Sequence, residues 1–191
     1  MFHIPTLARM MGIEPRTVCE VGVPTPDLCR VAHWHQKCHV LLVEPLPLCA
    51  QALLQAFPFA EVIEATITRE TGTAQLYFRG QTSWLIEELN HTPALDVDHH
   101  QPLAENIHEV RALRMDAIDP GTIDILAIDT EGAEFFALEH LISRPQIIVI
   151  ETHAPSPAYQ HPYGQQIRDW MQANAYTLAA TEAADSLYVR L

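Results

Sequence analysis

Apolar positions along this chain fall into two alternating rhythms. Short runs rich in β-branched residues recur, and between them the apolar positions spread to helical spacing. Thr17–Gly22 (TVCEVG), His39–Glu44 (HVLLVE) and Glu61–Ile67 (EVIEATI) predict three strands. Asp27–His35 predicts a helix with Leu28, Val31, Ala32 and Trp34 inward, and Pro45–Phe57 a second with Leu48, Ala52 and Leu53 on one side. Strand followed by helix, repeated, predicts a parallel sheet joined by right-handed crossovers.

The pattern loosens in the middle. Ala74–Phe78 alternates as a short strand after a turn at Thr71–Gly72, and Glu109–Met115 returns as another. Between them Gln81–Asn106 is polar, with one helical turn expected at Trp84–Leu89. A loop this long in a compact domain predicts a lid or substrate segment. The last third is clear again: strand Asp124–Asp129, helix Gly132–Ile142 with Phe135, Leu138, Leu141 and Ile142 inward, strand Gln146–Thr152, and helix Gly164–Ala173. Ala175–Ala179 and Ser186–Leu191 read as a closing antiparallel pair. The expectation is one α/β domain over 1–191, with 1–16 an N-terminal helical segment ending near Gly12.

Composition narrows the partners. Lys and Arg total 11 against 24 Asp and Glu, for a net charge of −13. So acidic a surface repels phosphate backbones and anionic membranes, and suits a neutral or cationic ligand. Hydrophobic residues make up 48% of the chain, which argues against disorder. The longest apolar runs are far too short to span a bilayer, and the first residues lack a signal-type stretch, so a cytoplasmic location is expected. Cys19, Cys29, Cys38 and Cys49 contain no CxxC pair, so free thiols are expected rather than a zinc site.

Ligands of open α/β sheets bind beyond the carboxyl ends of the strands. Here those ends read Glu20-Val21-Gly22, Glu44-Pro45, Asp129-Thr130-Glu131 and Glu151-Thr152-His153, an acid at each. Glu44 follows an apolar strand 24 residues after Glu20, where a carboxylate can accept hydrogen bonds from both hydroxyls of a cofactor ribose. Gly22 stands where a backbone must approach a ligand closely. Its loop holds one glycine and two prolines, Pro24 and Pro26, which remove two N–H donors. Within IDILAIDTEGAE (Ile123–Glu134), Glu134 suits the first turn of a helix through the dipole. Asp129 ends an apolar strand, where an unpaired carboxylate is costly unless it faces a wet pocket.

VCEVG, LLVEPLP, EATITRETGTAQLYF, LRMDAI, IDILAIDTEGAE and PQIIVIETH, in that order from about Thr17 to Val189, resemble the FkbM-type S-adenosylmethionine-dependent methyltransferases. The resemblance implies the class I methyltransferase fold, a mostly parallel Rossmann-like sheet with helices on both faces. It also implies S-adenosylmethionine as methyl donor and O-methylation of a hydroxyl on a sugar, polyketide or similar small metabolite. By the same resemblance, Glu20 and Gly22 lie near the methionine part of the donor, Glu44 holds the ribose, Ala65 and Thr66 border the adenine, and Asp129 looks onto the sulfonium and acceptor.

Methyl transfer needs alignment of the reacting atoms and a place for the hydroxyl proton. His153 is the expected general base, with Glu151 or Asp129 orienting it. Two other readings stay open on the residues alone. Asp129, Glu131, Glu151 and His153 could hold a divalent cation, which is not favoured because such spacing is permissive. A fold of this type whose proline-bearing loop had lost the donor could also serve as a binding module.

Overall fold

The computed structural model describes residues 2–31, 34, 38–78, 83–86, 104–152 and 161–190. Its elements, in chain order, are α1 (Ile4–Met10), β1 (Thr17–Val21), β2 (His39–Val43), α2 (Pro47–Ala56), β3 (Glu61–Ile63), β4 (Thr66–Ile67), β5 (Gly72–Tyr77), β6 (Trp84–Leu85) and β7 (Ile107–Leu113). There follow β8 (Ile125–Ile128), α3 (Glu134–Glu139), β9 (Ile147–Glu151), α4 (Gly164–Ala173), β10 (Thr177–Glu182) and β11 (Asp185–Val189).

Seven strands form the main sheet in the order β10-β11-β9-β8-β1-β2-β3. β3, β2, β1, β8 and β9 are mutually parallel, while β11 runs antiparallel to β9 and β10 antiparallel to β11. The winding starts at β1, moves outward through β2 and β3, then restarts on β1's other side at β8. That reversal opens a crevice between the carboxyl ends of β1 and β8. A smaller sheet, β4-β7-β5-β6, continues beside it.

Both faces of the main sheet are buried, so its strands read as apolar runs rather than alternations. Cys19, Val21, Leu41, Val43, Leu126, Ile128, Ile148 and Ile150 pack with Phe136, Leu138, Ile167 and Met171 of α3 and α4. Val18, Val40, Leu42, Ile125, Ala127, Ile147 and Val149 pack with Ile4 and Ala8 of α1 and Leu53 of α2. Side chains alternate along a strand. Glu20, Glu44, Asp129 and Glu151 continue this second set by steps of two, so the strands deliver all four acids on one side of the sheet's rim. Among the described residues, no helix is long and apolar enough to cross a membrane.

Several expected elements differ. Instead of a helix from Asp27, a single 3-10 turn spans Pro26–Leu28, and Cys29 is already extended. The reason is local: the Glu20 carboxylate accepts the Arg30 N–H at 2.7 Å and the Val31 N–H at 3.2 Å, amides a helix would use itself. Glu61–Ile67 is two strands, β3 on the main sheet and β4 on the small one, because the chain changes sheets at Glu64–Ala65. Trp84 and Leu85 pair with Tyr77 and Leu76 as strand β6, Ile86 follows in a 3-10 turn, and the rest of the expected helical turn, 87–89, lies outside the described residues. Leu48 is 81% exposed and Ile142 56%, while Ala50 and Phe136 occupy the inward positions.

Candidate functional site

A cavity of about 230 Å³ opens at the β1/β8 crevice. Glu20, Val21, Gly22 and Arg30 line it from β1 and the following loop, Glu44 and Pro45 from the end of β2, Ala65 and Thr66 from the start of β4, and Asp129, Thr130 and Glu131 from the end of β8. Ser83 and Leu85 add a wall from the edge of the 81–106 segment. Glu20, Gly22, Glu44, Ala65, Thr66 and Asp129 thus share one hollow. Glu151 stands behind Asp129 and hydrogen-bonds to it. His153 lies outside the described residues, as do 87–103 and 153–160.

Gly22 adopts φ +85°, and a Cβ there would lie 1.7 Å from the Asp129 carbonyl oxygen. What approaches Gly22 closely is the backbone ending β8, and the missing side chain lets the two strand ends meet. Its N–H donates to the Val43 carbonyl at 2.9 Å. The ends of β1, β2 and β8 are locked together there.

Glu44 is 4% exposed. It accepts the Leu46 N–H at 3.0 Å and bonds to the backbone of Val23, fastening the loop after β1 to the start of α2. Burial pushes its carboxyl up to about 7 against those two bonds. Glu20 is pushed to about 7 by burial as well, opposed by the Arg30 charge and the amides of Arg30 and Val31.

Arg30 is the residue the sequence reading passed over. Its guanidinium, 5% exposed, reaches Asp129 through Nη2, Asp185 through Nη1 at 3.4 Å, and stands 3.6 Å from Glu20. It ties β1, β8 and β11 together at the rim. The available signal was its isolation, since no other Lys or Arg occurs between Arg16 and Lys37. Asp185 opens an antiparallel strand, whose first residue sits where parallel strands end. Antiparallel strands reach that rim with their N-termini, a rule that could have flagged it.

The DTEGAE turn has its own lock. Glu134, wholly buried, accepts the Thr130 N–H at 2.8 Å and the Gly132 N–H at 3.0 Å, and takes a hydrogen bond from His161 Nε2 at 2.5 Å. Tyr163 N–H donates to His161 Nδ1 at 3.1 Å, which leaves the ring proton on Nε2, facing Glu134. Burial opposes ionisation of Glu134, but these hydrogen bonds outweigh it and hold its carboxyl below the usual range. Glu131 and Gly132 take positive φ, 55° and 106°, so the turn needs this clamp.

Burial raises Asp129, although the Arg30 charge opposes it. Glu131 is pushed to about 8 by burial and by the charges of Asp129 and Glu134. Glu151 rises to about 10, from burial first and the charges of Asp129, Glu134 and Glu131 next. Glu151 is therefore protonated at neutral pH and donates to Asp129, whose rise the Arg30 charge opposes. Oxygens of Asp129, Glu134 and Glu151 lie within 4.8 Å of one another, with Glu134 rather than Glu131 completing the set. This donor set suits a resident cation poorly, because Glu134 is spent on His161 and the turn, and Asp129 on Arg30 and Glu151.

These shifts fix the pH dependence of folding. A carboxyl raised in the folded state binds its proton more tightly there than when unfolded. Its favourable contribution is complete below the unfolded value, about 4.5, and is lost as pH rises through the folded one. Glu20 and Glu44 act up to about 7, Glu131 to about 8 and Glu151 to about 10. Glu134 runs oppositely, its contribution disappearing on acidification below its unfolded value. The ligand-free protein is expected to melt at a falling temperature from about pH 5 to about pH 9. Calorimetric scans across that range check this, and a Tm that climbs instead would refute the raised carboxyls.

Among proteins of known type, the family model described as Methyltransferase FkbM domain matches residues 20–178. A TehB-like SAM-dependent methyltransferase from Corynebacterium glutamicum is similar in structure, with TM-score 0.50 and 8% identity over 100% of this chain and 89% of that one. Monomeric WbdD gives TM-score 0.50 and 12% identity over 97% of this chain and 38% of that one. These structural likenesses show the fold alone, the mostly parallel methyltransferase sheet with its closing antiparallel strands. No curated protein matches the sequence.

Proposed function

This chain belongs to the FkbM methyltransferase family, whose enzymes depend on S-adenosylmethionine, and we propose that it methylates a hydroxyl of a small metabolite such as a sugar or polyketide. The observation carrying the reading is that Glu44 and Asp129, at the ends of β2 and β8, line the same cavity at the point where the sheet reverses. A cationic donor also fits a hollow whose described walls supply several carboxyls and one guanidinium.

The donor, when bound, supplies an electrophilic methyl group on a positively charged sulfur. The chain's own residues bind and orient. Glu44 accepts from the ribose hydroxyls, while Ala65 and Thr66 border the base. Gly22 keeps the crevice narrow near the methionine part, and Glu20 works through the Cys29 thiol and the Arg30 and Val31 amides that it holds. Asp129, fixed by Arg30 and Glu151, accepts the hydrogen bond of the acceptor hydroxyl and aims its lone pair. His153, two positions after Glu151, is the proposed general base on its place in the sequence. The 81–106 segment, whose Ser83 and Leu85 touch the cavity, is the proposed lid and acceptor loop. A cytoplasmic setting accords with four free cysteines.

Titration calorimetry with S-adenosylmethionine tests the donor half of this reading. Glu44→Gln is expected to weaken binding by about 30-fold, since the amide keeps one acceptor oxygen and turns the other into a donor facing a ribose hydroxyl. Unchanged affinity would remove Glu44 from the ribose. For the acceptor half, tritium transfer from labelled donor to a panel of hydroxylated metabolites is the measurement, and incorporation only into nitrogen acceptors would overturn O-methylation.

A further inference from the structure

One end of the cavity gathers more carboxyl groups than basic ones among the described residues. Glu20, from β1, and Asp129 and Glu131, from the end of β8, line it, while Glu151 of β9 stands behind Asp129, Glu134 of α3 is buried under the turn, and Asp185 of β11 sits on Arg30. The basic groups among the described residues there are Arg30, from the loop after β1, and His161, ahead of α4. His161 is taken up by Glu134 and Tyr163, so Arg30 alone faces the other acids. Glu131 is different in kind. Among the described residues it makes no hydrogen bond, it is held by its left-handed turn, and it lines the cavity beside Asp129. A carboxyl in the cavity wall with no hydrogen-bond partner among the described residues is placed to answer a ligand's charge.

On the reading that the donor is S-adenosylmethionine, we propose that Asp129 and Glu131 make this cavity discriminate between the sulfonium donor and its neutral thioether product, favouring the donor. Donor and product share the adenosine and the amino-acid tail, and differ at the sulfur by one methyl group and one positive charge. A carboxylate a few ångströms from that charge, in a half-buried wall, stabilises the first and gains nothing from the second. Loss of the charge on transfer then loosens the product where the acceptor must also leave. Glu131 ionises more readily beside a cation, so donor binding releases protons and strengthens as pH rises, while product binding does not. The tail's own amino group titrates in both ligands and cancels in their ratio.

The test is titration calorimetry with three probes: S-adenosylmethionine, S-adenosylhomocysteine, and sinefungin, which carries a charged amine where the sulfonium stands. The donor and sinefungin are expected to bind about tenfold tighter than the thioether, with the gap widening from about pH 6 to about pH 8.5. Glu131→Gln should narrow the gap by weakening the two cationic ligands while leaving the thioether unchanged, and Glu131→Asp should keep it. Asp129→Asn provides a second variant, with a thermal melt confirming that each is folded. A thioether bound as tightly as the donor, or variants that weaken all three ligands equally, would overturn the discrimination. If none of the three binds at millimolar concentration, the donor assignment itself falls and this proposal with it.

Discussion

Replacing Glu134 by alanine is expected to destabilise the protein by about 4 kcal/mol and to lower its Tm by roughly 12 °C. One buried carboxylate answers the N–H groups of Thr130 and Gly132 and the Nε2–H of His161. Alanine leaves all three donors without acceptors in a place where His161 is 1% exposed and water has no access. Each stranded polar group costs about 1–3 kcal/mol, and collapse around the smaller side chain recovers only part of that. Glu134→Gln keeps the shape but replaces one acceptor oxygen by a donor, so about half the loss is expected. Chemical denaturation of both variants provides the measurement, with the midpoint moving and the slope unchanged. If Glu134→Ala melts within a degree or two of the parent, other contacts hold the turn.

The second large effect belongs to Gly22. Its alanine variant places a methyl carbon where the Asp129 carbonyl oxygen now sits, on a backbone already at positive φ. A flexible side chain could move aside; a strand-end carbonyl cannot, since Asp129 N–H is bonded to the Val21 carbonyl at 2.9 Å on the same rung. Strain of the left-handed conformation and the forced separation of β1 from β8 together amount to about 3 kcal/mol. The separation widens the floor of the cavity, so donor affinity should fall by at least about tenfold even in molecules that remain folded. Parallel melting and calorimetric titration of Gly22→Ala distinguish the two effects. A variant that melts and binds like the parent would mean that Asp129's carbonyl relaxes freely.

The fold was largely legible because its signals are local and repeated. Runs such as VLLV and IIVI are apolar on both faces, which only a sheet covered on both sides requires, and the interspersed helices leave a parallel arrangement as the simple solution. The convergence of acids was legible too. Strand residues alternate, so acids in step with Val18, Leu42, Ala127 and Val149 had to gather on one side of the rim. The loop after β1 was not legible. Its apolar spacing suits a helix, but Glu20 holds the amides that a helix would need, and such a contest between side chain and backbone leaves no periodic trace. Arg30 and Asp185 meet from positions 155 apart in sequence, and only the antiparallel return of β11 brings them together. His161 finds Glu134 across 27 positions by the same kind of tertiary accident. Leu48 and Ile142 show the limit of helical spacing, which gives a face but not its exact rotation.

Because Asp185 grips the guanidinium that also steadies Asp129, the terminal hairpin is a working part of the crevice and no mere cover for the sheet's flank. Anyone transplanting the segment after β1 from another member of the family must carry over a matching acid at the far end of the chain, or supply a neutral residue in place of Arg30. Exchanging one half alone would leave a buried cation with Asp129 and Glu20 but without its third acid.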